Sequence, residues 1–343
     1  MAFSHSGILS GCGAAPCRPL IYRLHTNTSS LMMRACFNGA RSAGGDIQRF
    51  DGNDMRQVLG RPDPNYTAAR SNIIGLHGLP SALEGGAELL MDGRSEVLLP
   101  HGLDAALLPR HVALIMDGNN RWARRKGLAA EQGYEAGADT WQHIVHLSAR
   151  WGLSALTAFF FSTENWLRPQ AEVEALLQLF ERLMHRVRDD FVRCNVQARA
   201  VGDTSQLPPS LQTALDKLEQ STAQNDGLKV SIAMNYGGRY DLVQACRGIA
   251  ADARDGKLLP CDVSEDLIEG KLLTRWMGAD TQHPDLVIRT SGDKRISNFL
   301  LWQTAYAELL FLDFFWPEMD EFRYAQALMA YQGRKRSFGR RTS

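Results

Sequence analysis

The chain has 343 residues, of which 44% are hydrophobic and 22% are charged, a composition typical of globular proteins. Lys plus Arg and Asp plus Glu each number 38, which excludes a protein that binds polyanions over its whole surface, so any anion site must be local. No apolar run approaches the roughly 18 residues of a membrane-spanning helix. The six cysteines show no CxxC spacing and indicate neither a disulfide framework nor a zinc site.

Two N-terminal segments differ in composition from the rest of the chain. Residues 1–45 are rich in Ser, Ala and Gly, contain four arginines and have no acidic residue. This pattern predicts an organellar transit peptide, with the plastid as the expected destination and the mitochondrion as the second. The alternative is a disordered tail whose composition arises by chance. In residues 46–108, Gly, Pro, Asp and Asn recur, which predicts a poorly ordered linker or arm.

From about residue 109 onward, short apolar runs alternate with helical patterns. Apolar residues at helical spacing follow Pro169, and further helices are expected over 211–220, from about 241, and over 322–332. Strands that are apolar throughout and alternate with helices predict an α/β fold, namely a single domain with a roughly six-stranded parallel sheet flanked by helices. The predicted strands are 112–116, 156–161, 196–201, 228–234, 286–289 and 309–312.

Polar clusters follow the first, second, fourth and fifth predicted strands. Ligands of such sheets bind beyond the carboxyl ends of the strands, so we expect the clusters to form one shared site. The cluster after the first strand is Asp117-Gly118-Asn119-Asn120-Arg121. A helix start beside a fixed cation favours an anion, and Asp117 would tolerate phosphate only if a cation such as Mg²⁺ joined them. The alternative is that Asp117 caps the helix and Arg121 pairs with it at the surface.

The second and fourth strands end in loops that are less informative when taken singly. Residues 162–168 place hydrogen-bond donors beside aromatic surface, which suits a ligand with a polar head. The alternative for this loop is a capped turn with Trp166 buried and Glu164 in a salt bridge. The segment 235–239 carries two glycines and is best interpreted as a structural turn.

The cluster after the fifth strand combines three cations with two serines around one glycine turn. Arg289 and Arg295 are each able to bind phosphate oxygens through two donors, and Ser297 adds a hydroxyl. We therefore predict phosphate binding, with a solvated run of charges as the alternative. Glu308 precedes the last apolar strand, where a carboxylate requires either an arginine or a metal ion as its partner.

As a set, the four clusters resemble those of the cis-prenyltransferases, the undecaprenyl diphosphate synthase family. The resemblance covers about residues 109–339 and leaves 340–343 as a tail. It is carried by HVALIMDGNNRWA, FFFSTENWLRP, MNYGGR and DLVIRTSGDKRISNFLLWQTAYAELLF. It implies an enzyme that uses Mg²⁺ to condense isopentenyl diphosphate with an allylic prenyl diphosphate, giving a Z-prenyl diphosphate. It also implies a homodimer, a hydrophobic tunnel for the growing chain, peripheral membrane contact for product release, and no nucleic-acid partner.

The resemblance assigns roles to individual residues. Asp117 is expected to be catalytic through Mg²⁺, Asn165 to be catalytic in proton removal, and Glu308 to be a second metal carboxylate. Arg289, Arg295 and Ser297 match the isopentenyl diphosphate site. The remaining residues expected to bind substrate are Gly118, Asn119, Asn120, Arg121, Trp122, Ser162, Thr163, Glu164, Trp166 and Arg168.

Some positions depart from the common pattern of the family. Tyr134 stands where a histidine is usual, and Ser337 replaces the last arginine of a tail that reaches across the dimer. Phe160 and Met234 are larger than the usual alanines and would narrow a tunnel, which predicts a product of short to medium length. The alternative functions are a non-catalytic or partner subunit of a heteromeric prenyltransferase, head-to-middle coupling of two allylic diphosphates, and a generic phosphate-binding module.

Overall fold

The computed structural model describes residues 99–336, and these fold around one six-stranded sheet. Every neighbouring pair of strands is parallel, and the spatial order is β3-β4-β2-β1-β5-β6. The predicted α/β fold with a six-stranded parallel sheet is therefore confirmed. The strands are β1 (His111–Ile115), β2 (Ala155–Ser162), β3 (Gln197–Val201), β4 (Lys229–Tyr236), β5 (Leu286–Arg289) and β6 (Glu308–Phe311).

Within residues 99–336, seven α-helices connect and cover the strands, together with short 3₁₀ turns. Among the described residues, no helix is both long and apolar enough to cross a membrane. Pro169 is the N-cap of α3 rather than its first residue, whereas Pro209 opens α4 at the first helical position. The helices are α1 (Asn119–Arg125), α2 (Ala130–Arg150), α3 (Gln170–Arg193), α4 (Pro209–Thr222), α5 (Gly238–Arg254), α6 (Glu265–Glu269) and α7 (Glu321–Gln332).

Both faces of the four central strands, β4, β2, β1 and β5, are largely buried, which explains why these strands are apolar without alternation. In β1 every side chain is buried: Val112 and Leu114 belong to the larger core cluster, whereas Ala113 and Ile115 belong to the smaller one. Helices α2, α3, α4 and α7 supply the larger cluster. Full burial of one large apolar side chain contributes about 1.5–3 kcal/mol, so this cluster supplies most of the hydrophobic stabilisation.

Parts of the predicted domain organisation lie outside the described residues. These are the transit peptide (1–45), most of the linker (46–98), and the chain end with Ser337 and the 340–343 tail. The last ten residues of the predicted arm are described: Leu99, Leu103 and Leu108 pack against the larger core cluster.

Candidate active site

A cavity of about 780 Å³ opens at the carboxyl ends of β1, β2 and β5. This is the edge at which the sequence predicts a shared site, and twelve of the predicted site residues line the cavity. They are Asp117, Gly118, Asn119, Asn120, Arg121, Ser162, Glu164, Asn165, Arg168, Arg289, Arg295 and Ser297. Strand order explains the grouping, because β1 lies between β2 and β5 and all three run in the same direction.

Two guanidinium groups converge on the carboxylate of Asp117. Its Oδ2 accepts a hydrogen bond from Nη2 of Arg289 at 2.8 Å, and its Oδ1 accepts one from Nη2 of Arg121 at 3.2 Å. Asp117 is not the helix cap that the alternative interpretation required, because α1 is capped by Gly118 at a φ of 104°. A side chain at Gly118 would begin 2.7 Å from the ring of Phe315, so this turn requires glycine.

Arg289 connects Asp117 to the loop that follows β5. Its side chain is only 4% exposed, and its Nη1 donates to Oγ of Ser297 at 2.8 Å and to the backbone carbonyl of Arg295. A buried guanidinium requires several acceptors, and these three bonds satisfy its two Nη groups, whereas its buried Nε has no hydrogen-bond partner. The structure therefore brings Arg289, Arg295 and Ser297 together.

Asp293 is a second carboxylate at the same edge of the cavity. It accepts two hydrogen bonds from Arg295, at 3.0 and 3.1 Å, and its Oδ2 lies 3.2 Å from Nη2 of Arg121, the same nitrogen that contacts Asp117. Burial by itself raises the pKa of the Asp293 carboxyl. The hydrogen bonds and charge of Arg295, with the charge of Arg289, outweigh burial and hold that pKa below its usual range.

Ser291 holds Arg121 from a strained backbone conformation. It is a buried non-glycine residue with φ at 77°, and its Oγ accepts a hydrogen bond from Nη2 of Arg121 at 2.5 Å. A left-handed conformation costs a non-glycine residue about 1–3 kcal/mol and persists where the surroundings enforce it. Here the Ser291 N–H is bound by the carbonyl of Phe314 at 2.7 Å. We infer that the hydroxyl positions Arg121.

Replacing Ser291 with glycine is expected to lower activity while leaving stability nearly unchanged. Ser291→Gly relieves the strained φ, so the free energy of unfolding should stay within about 1 kcal/mol of wild type. Loss of the bond to Arg121 should lower kcat/KM about tenfold, the effect of one charge-assisted hydrogen bond. Ser291→Ala is the matched control, because it removes the hydroxyl and keeps the strain, and it should lose both activity and stability. Full activity in both variants would contradict the positioning role.

The loop after β2 is held by its own polar side chains. Oδ1 of Asn165 accepts from the backbone N–H of Ser162 at 2.9 Å, and Glu164 accepts from Nδ2 of Asn298 at 2.9 Å. Burial raises the pKa of Glu164, but the bonds from Asn298 and from its own loop prevail and leave that pKa below its usual range. In place of the salt bridge of the alternative interpretation, Glu164 has the amide of Asn298 as its partner in the loop after β5.

Asn298 joins three parts of the site. Its carbonyl accepts from the N–H of Gly238 at 2.6 Å, and its Oδ1 accepts from the N–H of Arg239 at 3.0 Å, so it caps the first turn of α5. Its Nδ2 donates to Glu164 at the same time. Ser297 and Asn298 both have positive φ angles, 49° and 61°, which shows that the loop is held in place by these contacts.

Helices α2 and α3 contribute polar residues to the cavity that the sequence did not assign to it. The hydroxyl of Tyr134 donates to Oε1 of Glu172 at 2.8 Å, and Arg168 donates to the same oxygen at 3.1 Å. Burial, followed by the bond and charge of Glu172, raises the pKa of Tyr134 to about 12, so its hydroxyl remains protonated at neutral pH. The signal in the sequence is helical spacing: Tyr134, Ala138 and Trp141 lie on one face of α2.

The inner end of the cavity is apolar and aromatic. The ring of Phe160 meets Trp141 at 4.8 Å and Phe180 at 5.3 Å, both edge-on. An irregularity in the pairing of β2 with β4 leaves Phe160 without a partner, because Phe159 aligns with Ala233 and Phe161 with Met234. Such a bulge redirects side chains locally, and it lies where Phe160 lines the cavity.

Four predicted site residues do not line this cavity: Trp122, Thr163, Trp166 and Glu308. Trp166 supports the loop, since its Nε1 donates to Asn235 at 2.8 Å and its ring packs edge-on against Phe161. It is 36% exposed, so the alternative of a buried tryptophan is wrong. Met234 is fully buried in the core and does not narrow the cavity, contrary to our expectation.

Glu308 lies at the amino ends of the parallel strands, whereas Asp117 lies at their carboxyl ends. In the parallel register of β5 and β6, Glu308 aligns with Leu286 at the start of β5, whereas Arg289 aligns with Phe311 at its end. The partner of Glu308 is Arg334, whose Nη1 donates to Oε2 at 2.8 Å. The expectation of a metal carboxylate beside the isopentenyl diphosphate site is therefore not met within one chain. Of its two possible partners, the structure shows the arginine.

The cavity has arginines and carboxylates at its mouth and aromatic rings at its inner end. This arrangement suits a ligand with a diphosphate head and an apolar tail.

Residues 115–339 match the family model described as "Putative undecaprenyl diphosphate synthase". The chain is 46% identical over 248 residues to the chloroplastic dehydrodolichyl diphosphate synthase CPT5 of Solanum lycopersicum, covering 72% of this chain and 79% of that protein.

Two further relatives agree. One is the ditrans,polycis-undecaprenyl-diphosphate synthase of Yersinia pseudotuberculosis, which is 45% identical over 67% of this chain and 90% of its own length. The other is lavandulyl diphosphate synthase from Lavandula x intermedia, solved with dimethylallyl diphosphate, which superposes with a TM-score of 0.66 at 35% identity, over 68% of this chain and 99% of that chain. The chain belongs to the undecaprenyl diphosphate synthase family, the cis-prenyltransferases.

Proposed function

We propose that this protein condenses isopentenyl diphosphate with an allylic prenyl diphosphate to give a Z-prenyl diphosphate. The observation that carries the proposal is the division of the cavity into two ends. Arg121, Arg289 and Arg295 surround two carboxylates at one end, and aromatic rings form the other. This arrangement offers cationic donors to diphosphate oxygens and an apolar wall to a hydrocarbon chain.

We infer that Mg²⁺ would be held by Asp117, with Asp293 in support. Mg²⁺ typically keeps several waters and takes one or two carboxylates together with substrate phosphates. Asp117 and Asp293 fit this pattern because both lie 3.2 Å from a single nitrogen of Arg121 and both line the cavity. When bound, the ion supplies charge neutralisation for the allylic diphosphate as that group leaves.

We propose that two groups of residues around the cavity bind the two diphosphate substrates. Arg121 and the first turn of α1 would bind the allylic diphosphate, which takes the electron pair of the breaking C–O bond. Arg289, Arg295 and Ser297 would hold isopentenyl diphosphate so that its double bond attacks the allylic carbon and forms the new C–C bond. The resulting cation then loses a proton. Asn165 is a weak base, so water or a phosphate oxygen accepts that proton while Asn165 orients the acceptor.

A turnover assay tests this proposal directly. The purified full chain is incubated with isopentenyl diphosphate, Mg²⁺ and allylic primers of three sizes, and product masses are measured. We expect products that grow by isoprene units, and chelation of the metal should stop the reaction. If isopentenyl diphosphate is not consumed with any primer, the proposal fails. Activity of this single chain would also exclude the alternative of a non-catalytic partner subunit.

A second candidate is the coupling of two allylic diphosphates, and one observation favours it. Lavandulyl diphosphate synthase, to which this chain is similar, was solved with the allylic compound dimethylallyl diphosphate. The same assay separates the two reactions, because coupling of allylic diphosphates proceeds without isopentenyl diphosphate. A product formed from dimethylallyl diphosphate alone would establish the second reaction.

Phe160 is expected to limit the length of the product. Its ring lies between Trp141 and Phe180 at the inner end of the cavity. Phe160→Ala should lengthen the product by one or more isoprene units in the mass assay. Met234→Ala, in the core on the neighbouring strand, should cost about 2–5 kcal/mol of stability without changing product length. If Phe160→Ala gave a product of unchanged length, the hypothesis that Phe160 limits the product to short or medium length would be refuted.

We further propose a plastid location and a homodimer. The plastid is supported by relatives named chloroplastic, among them cis-prenyltransferase 4 of Solanum lycopersicum, and by the composition of residues 1–45. Fusing residues 1–98 to a fluorescent reporter tests the location, and sedimentation tests the dimer. Within one chain, Arg336 donates to Asp285 and to the hydroxyl of Tyr331.

A further inference from the structure

A second cluster of potential metal ligands lies on α2 and α3, outside the cavity described above. An imidazole nitrogen of His146, a carboxylate oxygen of Asp190 and Sγ of Cys194 all lie within 4.8 Å of one another. In a tetrahedral zinc site, ligand atoms 2.0–2.3 Å from the ion are about 3.3–3.8 Å apart, so small side-chain rotations would bring these three atoms onto one ion. The three atom types are those that zinc selects, whereas Mg²⁺ prefers oxygen ligands.

The backbone fixes two of these ligands on one helical face. Asp190 and Cys194 are four residues apart in the last turn of α3, where side chains at this spacing are neighbours. Cys194 is the C-cap of the helix, and Asn195 follows at a φ of 53°, which ends the helix at this point. The carboxyl end of a helix carries partial negative charge, which favours a bound cation.

The surrounding polar groups orient the carboxylate of Asp190 toward the cluster. Gln142 lies one helical turn before His146 on α2 and donates to Oδ2 of Asp190 at 3.1 Å, and His146 contacts the same oxygen. Arg193 donates to the other oxygen, Oδ1, at 3.0 Å. Burial and the charge of Asp190 raise the pKa of Cys194, so its thiol would lose its proton on binding the ion. The thiolate and the carboxylate, offset by the charge of Arg193, would then present a net charge of about −1 to a divalent cation. Supporting bonds of this kind orient the ligands of metal sites.

We propose that His146, Asp190 and Cys194 bind a thiophilic divalent cation of the zinc class, with water completing its coordination. The ion would crosslink α2 and α3, because His146 lies on α2 and the other two ligands lie at the end of α3. The same two helices carry Trp141 and Phe180 on the cavity wall, so the crosslink would stabilise the pair of helices that forms the apolar end of the site. This proposal is independent of the reaction proposed above.

Cobalt(II) is the probe. A thiolate bound to Co²⁺ gives a charge-transfer band in the near ultraviolet. Co²⁺ that is bound at the active site by oxygen ligands gives no such band. The reduced full chain, freed of metal, is titrated with Co²⁺ in excess Mg²⁺. We expect the band in wild type and its loss in Cys194→Ser. Cys246→Ser is the matched control, since Cys246 is also an exposed free thiol, and it should keep the band. Absence of the band in wild type, or a full band in Cys194→Ser, would overturn the proposal.

The histidine ligand is tested separately. His146→Gln should weaken Co²⁺ binding by about tenfold or more, with an unchanged circular dichroism spectrum. Zn²⁺ should raise the midpoint of thermal unfolding of wild type, and it should have no such effect on Cys194→Ser. Equal Co²⁺ affinity in His146→Gln and wild type would mean that the thiol binds the ion without this cluster, and the proposal would be rejected.

Discussion

Asp117→Asn is expected to lower turnover by about a thousandfold or more while the fold is retained. Asparagine keeps the shape of the aspartate side chain and one hydrogen-bond acceptor, but it removes the negative charge. Arg121 and Arg289 both contact this charge, and Mg²⁺ would be held by it. Because Arg289 is only 4% exposed, the loss should also cost about 1–3 kcal/mol of stability. Steady-state kinetics with saturating Mg²⁺ measure the first effect, and denaturant unfolding measures the second.

Two comparisons make this result interpretable. Asp117→Ala should be equally inactive and less stable, because it leaves the buried guanidinium of Arg289 without this acceptor. Asp255→Asn, at the end of α5 beside Arg254, changes an exposed carboxylate outside the cavity and should keep normal activity. Near-normal turnover in Asp117→Asn would refute the role that we assign to this carboxylate.

Arg289→Lys is expected to have the second-largest effect and to act mainly on one substrate. Arginine reaches Asp117 with one nitrogen and Ser297 with the other, whereas lysine offers a single ammonium group on a shorter span. We expect KM for isopentenyl diphosphate to rise by about 10–100-fold, with a smaller change for the allylic primer, when each substrate is varied at saturation of the other.

Arg295→Lys is the matched control for this substitution. The Arg295 side chain is 61% exposed, and its hydrogen bonds to a side chain go to Asp293. Its replacement should raise KM for isopentenyl diphosphate less than the replacement of Arg289 does. If Arg289→Lys raised both KM values equally, Arg289 would act by holding Asp117 in place rather than by binding one substrate.

The parallel sheet and the polar loops were predictable because their signals are local. An apolar strand followed closely by glycine and charged residues identifies both the strand and the end at which ligands of parallel sheets bind, and Asp117 and Arg289 do line the cavity at that end. Within one chain, Glu308 does not reach the cavity, for a related reason. It precedes its strand, and the start of a parallel strand lies at the edge opposite to the site.

The contributions of α2 and α3 were not predictable from the sequence. Tyr134, Trp141, Glu172 and Phe180 lie on the cavity wall because two long helices pack at a particular rotation on the sheet. Their spacing shows only that they share a helical face, which fits a core residue equally well. The contact between Asn298 and Glu164 joins loops 134 residues apart, and no local pattern records it.

The position of Asn298 ties the proposed isopentenyl diphosphate subsite to the loop after β2 and to the start of α5. Its amide holds Glu164 in one loop, while its carbonyl and side-chain oxygen hold the first turn of α5, and Ser297 precedes it in the chain. Because these contacts already hold the loop after β5, we expect isopentenyl diphosphate to bind a preorganised subsite, at a lower entropic cost than a mobile loop would impose.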